Sequence, residues 1–122
     1  MSDLDPIAAY GAAWTETDDG RRTELLERAW ESAAVYCDPL SRVAGRAALA
    51  EHIAATQAGL PGSRIEITTE PVRHHDVAFF RWAMRDAAGA TIVTGFDVVQ
   101  LGDDGRIARL DGFFDTDTGA PE

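Results

Sequence analysis

Apolar residues recur along the first half of the chain at steps of three and four. Ile7, Tyr10 and Trp14 fall on one stripe and predict a first helix, which Asp18-Asp19-Gly20 is expected to stop. A second helix is predicted from about Thr23, with Leu25, Leu26, Ala29, Trp30 and Ala33 facing inward; the β-leaning Val35-Tyr36-Cys37 and Pro39 end it. A third follows Gly45, carrying Leu49, Ile53 and Leu60 on its apolar side, and Pro61-Gly62 closes it. After Gly62 the period changes to two: Ile65, Ile67 and Thr69 alternate with polar residues, as in a half-buried strand. Further strands are predicted near 77–86, 91–102 and 106–115, separated by hairpin turns at Ala87-Ala88-Gly89 and Asp103-Asp104-Gly105. Phe80, Trp82 and Met84 share one face of their strand, and Gly95, Asp97, Val99 and Leu101 share one of theirs, so a carboxylate stands in an apolar row.

This order, helices first and adjacent antiparallel strands after, predicts an α+β fold. The 122 residues fit a single domain, 1–122, with a loose acidic tail from Thr116 to Glu122. No apolar run approaches the roughly 20 residues of a membrane span. The acidic start, Met1-Ser2-Asp3-Leu4-Asp5, lacks the order of a secretory signal, and the lone Cys37 has no partner for an internal disulfide, so a cytoplasmic setting is expected. Eleven basic residues stand against 21 acidic ones, a net charge of −10 that repels phosphate backbones and anionic lipid; neither nucleic acid nor membrane is expected as a partner. All basic residues are Arg, which removes lysine Schiff-base and phosphate-loop lysine chemistry.

Five short motifs carry a resemblance: Tyr10-Gly11-Ala12-Ala13-Trp14, the corner Val35-Tyr36-Cys37-Asp38-Pro39, Gly45-Arg46-Ala47-Ala48-Leu49, Gly95-Phe96-Asp97 and Asp104-Gly105-Arg106-Ile107. In this order the chain resembles the nuclear transport factor 2-like superfamily, in its SnoaL-like branch, over nearly its whole length. The resemblance implies a cone-shaped fold, three N-terminal helices on a curved antiparallel sheet enclosing an apolar pocket. It implies no single function, because the superfamily includes isomerases, polyketide cyclases, epoxide hydrolases, dehydratases and proteins that only bind or scaffold. When the chain is laid on the pattern of ketosteroid isomerase, whose carboxyl groups are tuned by their surroundings, the oxyanion-holding tyrosine matches Tyr10, the general-base aspartate matches Asp38, and the protonated aspartate matches Asp97. A tyrosine that backs up the oxyanion tyrosine in some members falls on Ile53, a departure from the pattern.

These residues suit removal of an acidic C–H beside a ketone: Asp38 as base, Tyr10 and a protonated Asp97 as donors, with burial among Phe96, Val98, Trp82 and Met84 keeping the proton on Asp97. The same parts suit an aldol cyclisation or an epoxide opening. Trp14, Trp30, Tyr36, Trp82, Met84 and Phe114 are expected to line the ligand pocket. Duller roles stand beside each: Asp38 as a turn former before Pro39, Asp97 paired with Arg109 or Arg81, Tyr10 as a core tyrosine. The adjacent His74 and His75 point opposite ways on a strand edge and give no metal site; His52 is read as a surface or rim residue, and Cys37 as a small buried one. No cofactor and no metal is expected. The expected partner is a small apolar ligand, with a second copy of the chain, as a homodimer, covering the outer face of the sheet. The rival reading is a binding or scaffold domain without catalysis.

Overall fold

A computed structural model describes residues 5–115; the acidic start at residues 1–4 and the tail at 116–122 lie outside them. The first helix, α1 (Pro6–Thr15), starts where Asp5 accepts hydrogen bonds from the amides of Ile7 (2.8 Å) and Ala8 (3.0 Å), with Pro6 in the first turn. The second, α2 (Asp19–Ala29), begins earlier than its apolar spacing suggests. Asp18 caps it by accepting from the Arg21 amide at 2.9 Å, so the Asp18-Asp19-Gly20 segment expected as a stop is a start.

No loop follows α2. The chain passes straight into strand β1 (Trp30–Asp38), which turns at Pro39-Leu40 into β2 (Ser41–Ala44). This corrects the expectation that Trp30 and Ala33 belong to the second helix. Trp30 is buried and its indole N–H donates to the Ala34 carbonyl at 3.2 Å, while Ala33 is exposed. Their four-residue spacing from Leu26 and Ala29 imitates a helix, but Trp30, Ala34 and Tyr36 are an even number of residues apart and are buried on one face of the strand.

The third helix, α3 (Arg46–Gly59), follows with Leu49 and Ile53 buried, as expected; Leu60 falls just beyond its end and is partly exposed. Strands β3 (Arg64–Ile67), β4 (Val72–His74), β5 (Val77–Arg85), β6 (Thr91–Leu101) and β7 (Ile107–Phe114) complete the described residues. Both predicted hairpins are present. Gly89 (φ 93°) and Gly105 (φ 84°) take the left-handed backbone that the turns after β5 and β6 require.

The seven strands of the described residues form one sheet in the order β2-β1-β7-β6-β5-β3, with β4 also on β5. The sheet is mixed, not wholly antiparallel, because β1 runs parallel to β7. Nor do all helices precede the sheet, since the β1–β2 hairpin separates α2 from α3. The helices cover one face, where Ile7, Leu26, Trp30, Leu49, Ile53, Phe80, Val99 and Leu110 form the core. A polar knot holds them together: buried Arg22 donates to Asp19 (2.6 Å), the Glu16 carbonyl (2.9 Å) and Gln57 (2.7 Å), and Gln57 donates to the carbonyls of Trp14 and Glu16 at 3.0 Å each. Gln57 on α3 thus satisfies the open end of α1 and sets the position of Trp14.

Candidate active site

The core is incomplete at the helix–sheet interface, where a cavity of about 390 Å³ opens. Residues from β1, β3, β5, β6 and β7 all reach it, so the sheet curves around it, and α1 and α3 close the opposite wall. Its lining is mostly apolar, with Ile65, Ile67, Phe80, Met84, Val93 and Phe114 among the contributors.

The pairing of three strands places the two aspartates. Cys37 is level with Asp111 in the parallel pair, so the next residue, Asp38, comes level with Gly112; Gly112 in turn faces Asp97 across the antiparallel pair. Asp38, Gly112 and Asp97 therefore make one row across β1, β7 and β6, the aspartates roughly 10 Å apart at Cα. Glycine is needed at the middle of this row. A Cβ on Gly112 would lie 2.9 Å from Asp97 Oδ1 and 3.6 Å from Asp38 Cβ. Gly95 does similar work one step along β6: a Cβ there would run into the Phe113 carbonyl and the Trp82 ring, which crosses the strand at this point to reach Asp97.

Asp97 is 5% exposed, and its Oδ1 accepts from Trp82 Nε1 at 3.0 Å. The expected arginine partners are engaged elsewhere, Arg109 with Asp111 and Arg81 with Asp115. Phe96 and Val98, expected around Asp97, project to the other face of β6; Trp82 and Met84 share its side. Burial pushes the Asp97 carboxyl up to about 7; the Trp82 N–H works against this rise and the charge of Asp38 adds to it. Oδ2 makes no hydrogen bond among the described residues.

Asp38 is both a turn residue and a cavity residue. Its Oδ1 accepts from the Leu40 amide at 2.8 Å, and its Oδ2 accepts from the Tyr36 hydroxyl at 2.5 Å. Each oxygen keeps a lone pair. Tyr36 lines the cavity and stays a phenol, since burial and the charge of Asp38 raise its pKa far above the tyrosine range. Tyr10 is likewise held as a phenol, chiefly by burial, with Asp97 and Tyr36 adding to the rise and the nearby Trp14 indole opposing it. Trp14 Nε1 is buried with no hydrogen-bond partner among the described residues.

Tyr10, Asp38 and Asp97 thus face one cavity, together with Trp14, Tyr36, Trp82, Met84 and Phe114. Trp30, expected at the ligand, is instead in the core behind Tyr10, stacked on its ring at 5.7 Å. Ile53 is fully buried and offers Tyr10 no hydroxyl. His52, read as a surface or rim residue, is half-buried and lines the cavity from α3, 5.3 Å from the Tyr36 ring and 5.8 Å from that of Trp14; it stands four residues before Thr56, another lining residue, a helical spacing that marks this face. His74 and His75 do not point apart, because His75 leaves the strand at φ 53° and brings the two Nδ1 atoms to 3.2 Å at an exposed corner. Among the described residues no cluster of three His, Cys, Asp or Glu side chains has the arrangement of a metal site, and no helix is long and apolar enough to cross a membrane.

An α+β layer closed around an apolar cavity with two carboxyls defines the class of protein. The chain belongs to the SnoaL-like domain family, whose profile matches residues 7–110. It is similar in structure to a protein from Agrobacterium tumefaciens str. C58, provisionally described as an isomerase of the SnoaL-like family: 36% identity, 88% of this chain and 92% of that one, TM-score 0.83. A provisionally described polyketide cyclase from Sinorhizobium meliloti shares the fold at 23% identity (90% and 94% covered, TM-score 0.70). An NTF2-like protein of unknown function from Exiguobacterium sp. 255-15 shares it at 18% (91% and 98%, TM-score 0.73). No curated protein matches the chain.

Proposed function

We propose that the protein is a cofactor-independent acid–base enzyme, of isomerase or cyclase type, acting on a small apolar carbonyl compound. The observation that carries this reading is the row Asp38-Gly112-Asp97 at an apolar cavity, with Tyr10 facing it from α1. Asp38 removes a proton from the carbon beside the carbonyl through a free lone pair; Tyr36, bonded to Asp38 Oδ2, fixes its orientation. Negative charge then develops on the carbonyl oxygen. Tyr10 and the Asp97 carboxylic acid donate to it, and the Trp82 N–H occupies Asp97 Oδ1 so that the acid proton on Oδ2 is turned to the cavity. The apolar lining strengthens these hydrogen bonds by keeping water away.

A homodimer in the cytoplasm is part of the same proposal. The outer face of the sheet carries stacked Phe96 and Phe113 (4.9 Å), with Phe79 beside them and the Arg81 guanidinium 5.6 Å from the Phe96 ring, an apolar band that a second copy would cover.

The test is deuterium uptake by a panel of small apolar ketones in heavy water, followed by NMR. Wild-type protein is expected to accelerate exchange beside the carbonyl for at least one ketone. Asp38→Asn and Asp97→Ala each lower that rate by about a hundredfold or more, with the circular dichroism spectrum kept. Full activity in both variants, or no acceleration across the panel, overturns the enzyme in favour of a binding domain.

A further inference from the structure

The cavity has an electrostatic bias that enolisation does not exhaust. Among the described residues two carboxyls face it, no arginine lines it, and His52 is the one lining side chain able to carry positive charge. The chain has no lysine, and its net charge of −10 favours the approach of cations. Among the described residues Asp97 Oδ2 is unpartnered, on a residue only 5% exposed, beside a cavity roomy enough for a ligand. Such an oxygen is relieved in two ways, by holding a proton or by meeting a cation. The same cavity is walled by Tyr10, Trp14, Tyr36 and Trp82, the ring types that attract organic cations most strongly.

We propose that this cavity binds small apolar organic cations, protonated or quaternary ammonium groups on an apolar body, with the charged nitrogen seated between Asp97 and the surrounding aromatic rings. The binding is independent of the acid–base reading. Holding an enolate requires Asp97 as an acid, whereas pairing with a cation requires it as a carboxylate, so the two ligand classes select opposite states of one residue. The volume of about 390 Å³ sets the size: at protein-like packing it holds roughly a dozen non-hydrogen atoms. Among the described residues the ionisable groups around Asp97 are Asp38 and Tyr36 from β1, Tyr10 from α1 and His52 from α3; its neighbours from β5 and β7, Trp82 and Gly112, do not titrate.

Trimethylphenylammonium, whose charge is independent of pH, and its neutral isostere tert-butylbenzene are the probes, titrated against tryptophan fluorescence at pH 5.5 and 8.5. With Asp97 ionising near 7, the cation is expected to bind about 30-fold more tightly at the higher pH. The isostere binds equally at both, and a neutral phenol weakens over the same interval. Asp97→Asn abolishes the pH dependence of cation binding, and His52→Gln keeps it. Trp82→Phe, which removes the donor favouring the carboxylate, moves its midpoint upward and tests the same assignment should the Asn variant fail to fold. A cation that binds no more tightly than tert-butylbenzene at pH 8.5, or a pH dependence that survives in Asp97→Asn, overturns the proposal. Cation binding without phenol binding or exchange would leave it standing and remove the enzyme reading; the converse would do the reverse.

Discussion

Asp97 keeps its proton in the folded chain up to about pH 7, whereas an unfolded aspartate releases it near 3.8. Between those values the folded state binds more protons, so stability falls as pH rises through this window, by up to about 4 kcal/mol in all. The sign is opposite to that of a salt-bridged aspartate. Asp97→Asn keeps an oxygen for the Trp82 N–H and has no charge to bury. It is expected to raise the melting temperature clearly at pH 8.5 and hardly at pH 4, in thermal unfolding followed by circular dichroism. Equal gains at both would mean that burial does not hold the proton. The residue proposed to serve the chemistry therefore weakens the fold at neutral pH and above, the compromise that buried functional groups commonly impose.

Among the elements, β6 and β7 carry the site on their small residues as much as on their acidic ones. Gly112 leaves the space into which Asp97 Oδ1 turns, and Gly95 lets the Trp82 ring lie across β6. In Gly112→Ala the added methyl meets a side-chain oxygen that can shift, at the cost of its bond to Trp82. Phenol binding is expected to fall at least tenfold, with a stability loss of about 1–2 kcal/mol. In Gly95→Ala the methyl meets backbone as well as the ring, and the loss is larger, about 2–4 kcal/mol. Urea unfolding and phenol titration on the two variants separate these outcomes; unchanged phenol affinity in Gly112→Ala would show that the row across the three strands does not position Asp97.

For the whole molecule, helices cover one face of the sheet and leave the band around Phe96 and Phe113 on the other. Phe113 is 45% exposed and Val98 39%. Apolar area at this exposure is what a second copy would cover in the proposed dimer, working against the mutual repulsion of chains that each carry a net charge of −10. Sedimentation at micromolar concentration is expected to give a dimer for the wild-type chain and a monomer for Phe113→Glu, which places like charges across a two-fold contact. A wild-type monomer, or a Phe113→Glu dimer, would leave the apolar band to another use.

Much of this architecture was legible in the residues. Period-two alternation from Ile65 onward, the Gly89 and Gly105 turns, and the stripe of Ile7, Tyr10 and Trp14 are local patterns, and local sterics and solvent contact decide them. The candidate roles of Tyr10, Asp38 and Asp97 came from motifs that resemble a family, and that the three line one cavity was not legible from motif or spacing. The start of β1 at Trp30 was not legible, because alanine and leucine spacing suits a helix until a strand partner offers hydrogen bonds, and that partner, β7, lies some eighty residues away. The same long-range pairing decided that the sheet is mixed, that Asp38 and Asp97 flank Gly112, and that Trp30 stands behind Tyr10 while His52 faces the cavity. Sequence by itself determined which faces must be buried, since that depends on each residue and its near neighbours. Only the tertiary structure decided which buried groups meet, because strand partners and the helix α3 that closes the cavity are chosen by packing across the whole chain.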